Sequence, residues 1–152
     1  MNELEYQQTL EKLNQCPCTY EKAILSNRCA CEKSQRIYIA EREAVACLSS
    51  EAQERCMTLL EQFFDNARFA LRQTNLETPQ PHAKAMKVQC GGLLGLQAAL
   101  SAEQPTELKP VENIDALVTQ ALEEFGDFKQ LPYQKIIQFI SHYQVRGKRS
   151  QK

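Results

Sequence analysis

An all-α fold, a small helical bundle of about five to six helices with a cysteine-rich loop near the N-terminus, is predicted by three features of the 152-residue sequence. Apolar residues recur at spacings of three and four through most of the chain. Prolines and short polar stretches punctuate these runs, and the strict alternation of a half-buried strand is nowhere sustained. The length suits one domain around one core. Residues 1–152 are therefore read as a single domain, divisible into sub-halves 1–73 and 83–147 around a proline-containing linker.

Each element has a local reason. Asn2, followed three residues later by Glu5, has the form of a helix cap with a reciprocal acid, and Tyr6, Leu10 and Leu13 then share a face, which predicts a helix over 3–14. Pro17 ends it by removing a backbone donor and extending Cys16, so Cys16-Pro17-Cys18 opens a loop over 15–32. Thr19 caps a short turn through Leu25, and Ser26-Asn27-Arg28 closes that turn before Cys29-Ala30-Cys31. From Glu32 a third helix is expected, with Ile37, Ala40, Ala44, Cys47 and Leu48 on one stripe. Ser50 with Gln53 reads as a fresh cap for a long helix whose stripe is Ala52, Cys56, Leu59, Leu60, Phe63, Ala67, Ala70 and Leu71.

Residues 74–82, with Pro79 and Pro81, read as an extended linker. A buried helix is expected over 83–100, carrying Met86, Cys90, Leu93 and Leu94. Its Gly91-Gly92 pair costs about 1 kcal/mol per residue relative to Ala and points to a close helix crossing, a kink or a contact with something outside the chain, close packing being the first reading. Pro105 and Pro110 mark a second connector. Asn113 then caps a helix with Ile114, Leu117, Val118, Ala121, Leu122 and Phe125 in register, stopped by Gly126. The last helix starts near Pro132, with Tyr133, Ile136, Ile137, Ile140 and Tyr143 on its stripe. Gly147 breaks it before a basic tail.

Composition excludes several functions. With 18 Lys+Arg against 19 Asp+Glu the formal charge is −1, so no general field draws in nucleic acid or an anionic membrane. Arg146, Lys148, Arg149 and Lys152 read as a solvated terminus. No apolar run is long enough to span a bilayer and no leader pattern opens the chain, so a cytoplasmic protein is expected. The sequence has no G-x-S-x-G, P-loop, G-x-G-x-x-G or H-E-x-x-H motif, and His82 and His142 have no ligand-spaced partner; an enzyme is not expected.

The seven cysteines carry the functional argument. Cys47, Cys56 and Cys90 sit on apolar stripes and are expected in the core, where a thiol acts as a small hydrophobe. Cys16, Cys18, Cys29 and Cys31 form two C-x-C pairs outside the stripes. Residues i and i+2 of an extended segment present both sulfurs to one side. Two such pairs can supply four thiolates, the complement of a structural zinc site or of an iron–sulfur cluster with a redox role. In a reducing cytosol ligation precedes disulfide formation as the reading of clustered thiols. Cys47 or Cys56 can serve as a replacement ligand, and Lys22 and Arg28 can offset thiolate charge.

C-P-C at Cys16 to Cys18 resembles the opening of the small zinc motif that ends secretion motor ATPases, over three residues and without its glycine, serine and lysines. C-x-C also resembles the first ligands of helical two-iron ferredoxin modules, whose later C-x2-C is missing here. The expected function is a cytoplasmic helical protein with zinc on Cys16, Cys18, Cys29 and Cys31 that binds another protein. The alternatives are an iron–sulfur electron-transfer or redox-sensing protein on the same ligands, and a metal-free interaction module.

Overall fold

The computed structural model describes residues 2–74, 81–101 and 109–145. Helices dominate, but the expected third helix is an antiparallel hairpin, so the all-α expectation is corrected to a mostly helical fold with one two-stranded sheet. Strand β1 (Ser34–Ile39) pairs with β2 (Arg42–Cys47) in a register running from Ser34↔Cys47 to Ile39↔Arg42. The turn is Ala40-Glu41, with Ala40 at φ 56, a left-handed conformation in a residue that gains nothing from it. No Gly, Asn or Asp marks that turn, and the three-and-four spacing of Ile37, Ala40, Ala44 and Cys47 imitates a helix. The β-branched and aromatic run Ile37-Tyr38-Ile39 suits the pleated conformation better.

Helix α1 (Glu3–Leu13) is capped as its sequence predicts, the Glu5 amide donating to Asn2 Oδ1 at 2.7 Å. Tyr6 alone of its expected stripe is fully buried, and Leu13 is exposed. Helix α2 (Glu21–Leu25) spans little more than a turn. Helix α3 (Ser50–Thr74) is the longest, and the hydroxyl accepting at its start is that of Ser49, from the Ala52 amide at 3.1 Å, rather than that of Ser50.

Helix α4 (Pro81–Met86) continues through a π-helical turn, Lys87–Gly91, into α5 (Gly92–Leu100). Helix α6 (Ile114–Phe125) ends at Gly126, with φ 79 and an amide bonded to the Leu122 carbonyl. A short 3₁₀ turn, Phe128–Gln130, leads to α7 (Tyr133–His142). Most of the expected linker, Pro105, and the tail from Arg146 with Gly147 lie outside the described residues.

The core forms where α3, α5, α6 and α7 face one another. Leu59, Phe63, Ala67 and Leu71 of α3 meet Leu93, Leu96, Ile114, Val118, Ile136 and Ile140. Each large side chain among these contributes about 1.5–3 kcal/mol relative to exposure. The glycines explain how closely two of the helices approach. A Cβ on Gly91 would sit 2.7 Å from Ile140 Cα, and one on Gly95 would sit 2.9 Å from Ile136 Cα, so α7 crosses backbone to backbone over the π turn and α5.

The cysteine loop lies between the hairpin and this helical layer. Gln89, buried in the π turn, accepts from the Ala23 amide at 3.1 Å and so ties α2 to the layer. Gln53 of α3 donates to the Pro17 carbonyl at 2.8 Å, and the buried Asn14 donates to the Val45 carbonyl at 3.0 Å.

Candidate metal centre

Local backbone bonds decide where each thiol goes. Pro17 pairs with Ala46 as an antiparallel bridge, flanked by Cys18 N–H to Val45 O at 2.9 Å and Cys47 N–H to Cys16 O at 2.7 Å. The segment holding Cys16 and Cys18 thus runs antiparallel to the end of β2 through one isolated bridge. On the other side Ala30 donates to Val111 O at 3.0 Å and accepts from Ile114 N–H at 2.9 Å, and Cys29 bridges Val111 in parallel. The chain then turns at Glu32-Lys33, held by the Ser34 hydroxyl on the Cys31 carbonyl at 2.7 Å.

These bonds bring Cys18, Cys31, Cys47 and Cys56 to one small cavity of about 20 Å³, lined also by Thr19, Tyr20, Lys33 and Asp115. A single water needs about 10–15 Å³. The four thiols come from four stretches of chain: the loop after α1, the loop before β1, the end of β2 and the second turn of α3. Asp115, at the start of α6, is held by Arg55 of α3 at 3.4 Å. Two hydroxyls at the cavity are buried without a partner, Thr19 Oγ1 and Tyr20 Oη, the latter on a fully buried ring. An unpaired buried hydroxyl costs about 1–3 kcal/mol.

The electrostatics of this neighbourhood disfavour bare thiolates. Burial first, then the neighbouring Cys31 and Cys47 and Glu21, push the Cys18 thiol up to about 12, against a lowering hydrogen bond from the Tyr20 backbone. Burial and the charges of Cys18, Cys31, Cys47 and Asp115 push Cys56 up to about 12 as well. Cys31 is raised chiefly by burial. Lys33 is the one cation among the residues lining the cavity. These thiols keep their protons at neutral pH unless a cation replaces them. Among the described residues no group of three or more His, Cys, Asp or Glu side chains is already arranged to hold a metal ion. An occupant would have to draw the sulfurs inward or span the gap between them.

Of the four residues singled out from sequence, the structure brings Cys18 and Cys31 to this cavity. Cys16 stands just outside it, half-buried, its thiol raised by burial first and then by the neighbouring Cys47. Cys29 leaves in the other direction. It is buried in the core beside Cys90 of the π turn, near Arg28 and Tyr143. Arg28 donates to Tyr143 Oη at 2.8 Å and lies 5.6 Å from the ring centroid, which places it away from the cavity. The Cys29 hydrogen bond, then that of Tyr143 and the Arg28 guanidinium, hold Cys90 below the ordinary thiol range against the opposing effect of burial, while the same bond raises Cys29.

Cys90 is 1% exposed, as a core thiol should be, whereas Cys47 and Cys56 are only half-buried. Their place at the cavity was hidden because a cysteine on an apolar stripe looks alike whether it packs or ligates. No family model matches this chain, and neither a curated protein nor a solved structure does. No helix among the described residues is long and apolar enough to cross a membrane.

Proposed function

We propose that Cys18, Cys31, Cys47 and Cys56 hold a metal centre that ties the cysteine loop, the hairpin and α3 together. The protein would be a small metal-stabilised module of the reducing cytoplasm, contacting another protein through apolar side chains it leaves exposed, such as Tyr38, Leu48, Met57 and Phe69. The observation that carries this is the convergence of four thiols from four stretches of chain on one cavity, beside two buried hydroxyls without partners. The set keeps Cys18 and Cys31 from the sequence and takes Cys47 and Cys56 in place of Cys16 and Cys29.

Zinc is the first filling. It accepts four thiolates at about 2.3 Å and leaves no open position, which makes the site structural. The loops around Cys18 and Cys31 would close on the ion, and its charge would replace the four thiol protons. An iron–sulfur cluster is the second reading: the thiols line a cavity rather than meet at a point, and that cavity, with room for about one water, would have to widen to take it. A cluster spans such a gap with its own iron and sulfide.

Elemental analysis and a visible spectrum of protein purified without oxygen or chelator test the proposal. One zinc per chain and no visible absorbance is the expected result, while iron with matching sulfide selects the second reading. Protein that folds fully with neither metal contradicts both.

A further inference from the structure

A fifth thiol touches the proposed centre without lining it. The antiparallel bridge Pro17↔Ala46 sets Cys16 directly opposite Cys47, and the Cys47 amide bonds to the Cys16 carbonyl at 2.7 Å. Residues opposed across antiparallel strands have Cα atoms about 4.5–5.5 Å apart, within the about 4.4–6.8 Å that a disulfide spans. Opposed residues also project to the same face. The side chains agree with the backbone: burial first, then the neighbouring Cys47, raise the Cys16 thiol, and the Cys47 S–H donates to the Ser49 carbonyl at 3.1 Å. Both residues are half-buried, so a small reagent can reach the pair from solvent, in contrast to the core pair of Cys29 and Cys90.

We propose that Cys16 and Cys47 are a redox pair in which Cys47 resolves a mixed disulfide formed on Cys16, and that oxidation by a small organic disulfide closes a Cys16–Cys47 bond that withdraws Cys47 from the four-thiol set. The consequence for metal rests on the centre proposed above, whereas the pairing itself does not. In the first step the Cys16 sulfur, having lost its proton, attacks one sulfur of glutathione disulfide; that S–S bond breaks and one glutathione leaves as thiol. In the second, Cys47 sulfur attacks Cys16 sulfur and displaces the other glutathione. Two electrons and two protons pass from the cysteine pair to the disulfide, giving two glutathione thiols. A centre reduced to Cys18, Cys31 and Cys56 loses a ligand and releases its metal. Reduction by excess glutathione reverses the sequence.

The test uses the full chain with its metal, equilibrated over a range of glutathione disulfide to glutathione ratios and then alkylated. Mass spectrometry reads the cross-link and filtration reads free metal. The wild-type chain should form the Cys16–Cys47 link and lose metal in parallel. Cys16→Ser should form no link to Cys47 and keep its metal over the same range, and Cys29→Ser should behave as wild type. A Cys18–Cys47 link, or glutathione left on Cys16 without a cross-link, overturns the inference. If the chain carries no metal, the Cys16–Cys47 link still reports on the pairing, and its presence then sinks the centre alone. Metal bound with no cross-link sinks the pairing alone.

Discussion

Cys29 and Cys31 stand two residues apart and end in opposite company. Cys31 faces three other thiols, a carboxylate and two unpartnered hydroxyls at a cavity. Cys29 faces one thiol in the core, with a phenol and a guanidinium close by. The first neighbourhood raises the thiols of Cys18, Cys31 and Cys56, which keep their protons at neutral pH unless a cation replaces them. The second lowers the Cys90 thiol without one, through Cys29 first and then Tyr143 and Arg28. A shared C-x-C spacing therefore says little about shared chemistry. The bonds that flank Ala30 and the turn at Glu32-Lys33 send the two side chains apart.

Stripping the metal should separate the two neighbourhoods most strongly. Binding energy at such a site is folding energy, on the order of 10 kcal/mol for structural zinc, so chelation should open the segment from Cys16 to Cys47. Hydrogen exchange would show it as lost protection at the Cys18, Val45 and Cys47 amides, with protection retained in α5 and α7. Uniform loss across the molecule, or no loss at all, would break the distinction.

A smaller effect is expected on the core side. Gly91→Ala places a Cβ 2.7 Å from Ile140 Cα, an overpacking that should cost about 1–3 kcal/mol in a urea titration and disturb the turn that carries Cys90. Metal content should not change. If it falls, the two neighbourhoods are mechanically coupled.

The smallest expected effect is electrostatic. Because Cys90 is depressed in the folded state, the folded chain releases its proton before the unfolded one does. Stability from this group is complete above the ordinary thiol value of about 8.5 and is lost as pH falls through the lower folded value. Cys29→Ala removes the largest cause of that depression, so thiolate absorbance near neutral pH should fall and the rise of stability toward pH 8.5 should flatten. An unchanged thiolate signal would show that Cys29 does not set the charge of Cys90.

The sequence made much of the helical layer legible. The α3 stripe of Ala52, Leu59, Phe63, Ala67 and Leu71 is buried as its periodicity predicts, and the Gly91-Gly92 pair does mark a close crossing. Asn113 shows a local signal diverted by tertiary structure. It stands at the α6 start, but its side chain accepts from the Glu32 amide at 3.2 Å instead of capping the helix. The hairpin was illegible because its turn is Ala40-Glu41, without the residues that favour a left-handed backbone. That omission also hid the ligand set. Only once β2 is a strand does Cys47 come opposite Cys16 and beside Cys18, and only then does Cys56, one turn into α3, face them.

Metal content of two single variants tests the central claim most directly. Cys56→Ser and Cys29→Ser should be purified in parallel with the wild-type chain and analysed for zinc and iron. The account predicts loss of metal in Cys56→Ser and wild-type content in Cys29→Ser. Full metal in Cys56→Ser together with loss in Cys29→Ser would contradict it and return the centre to the two C-x-C pairs.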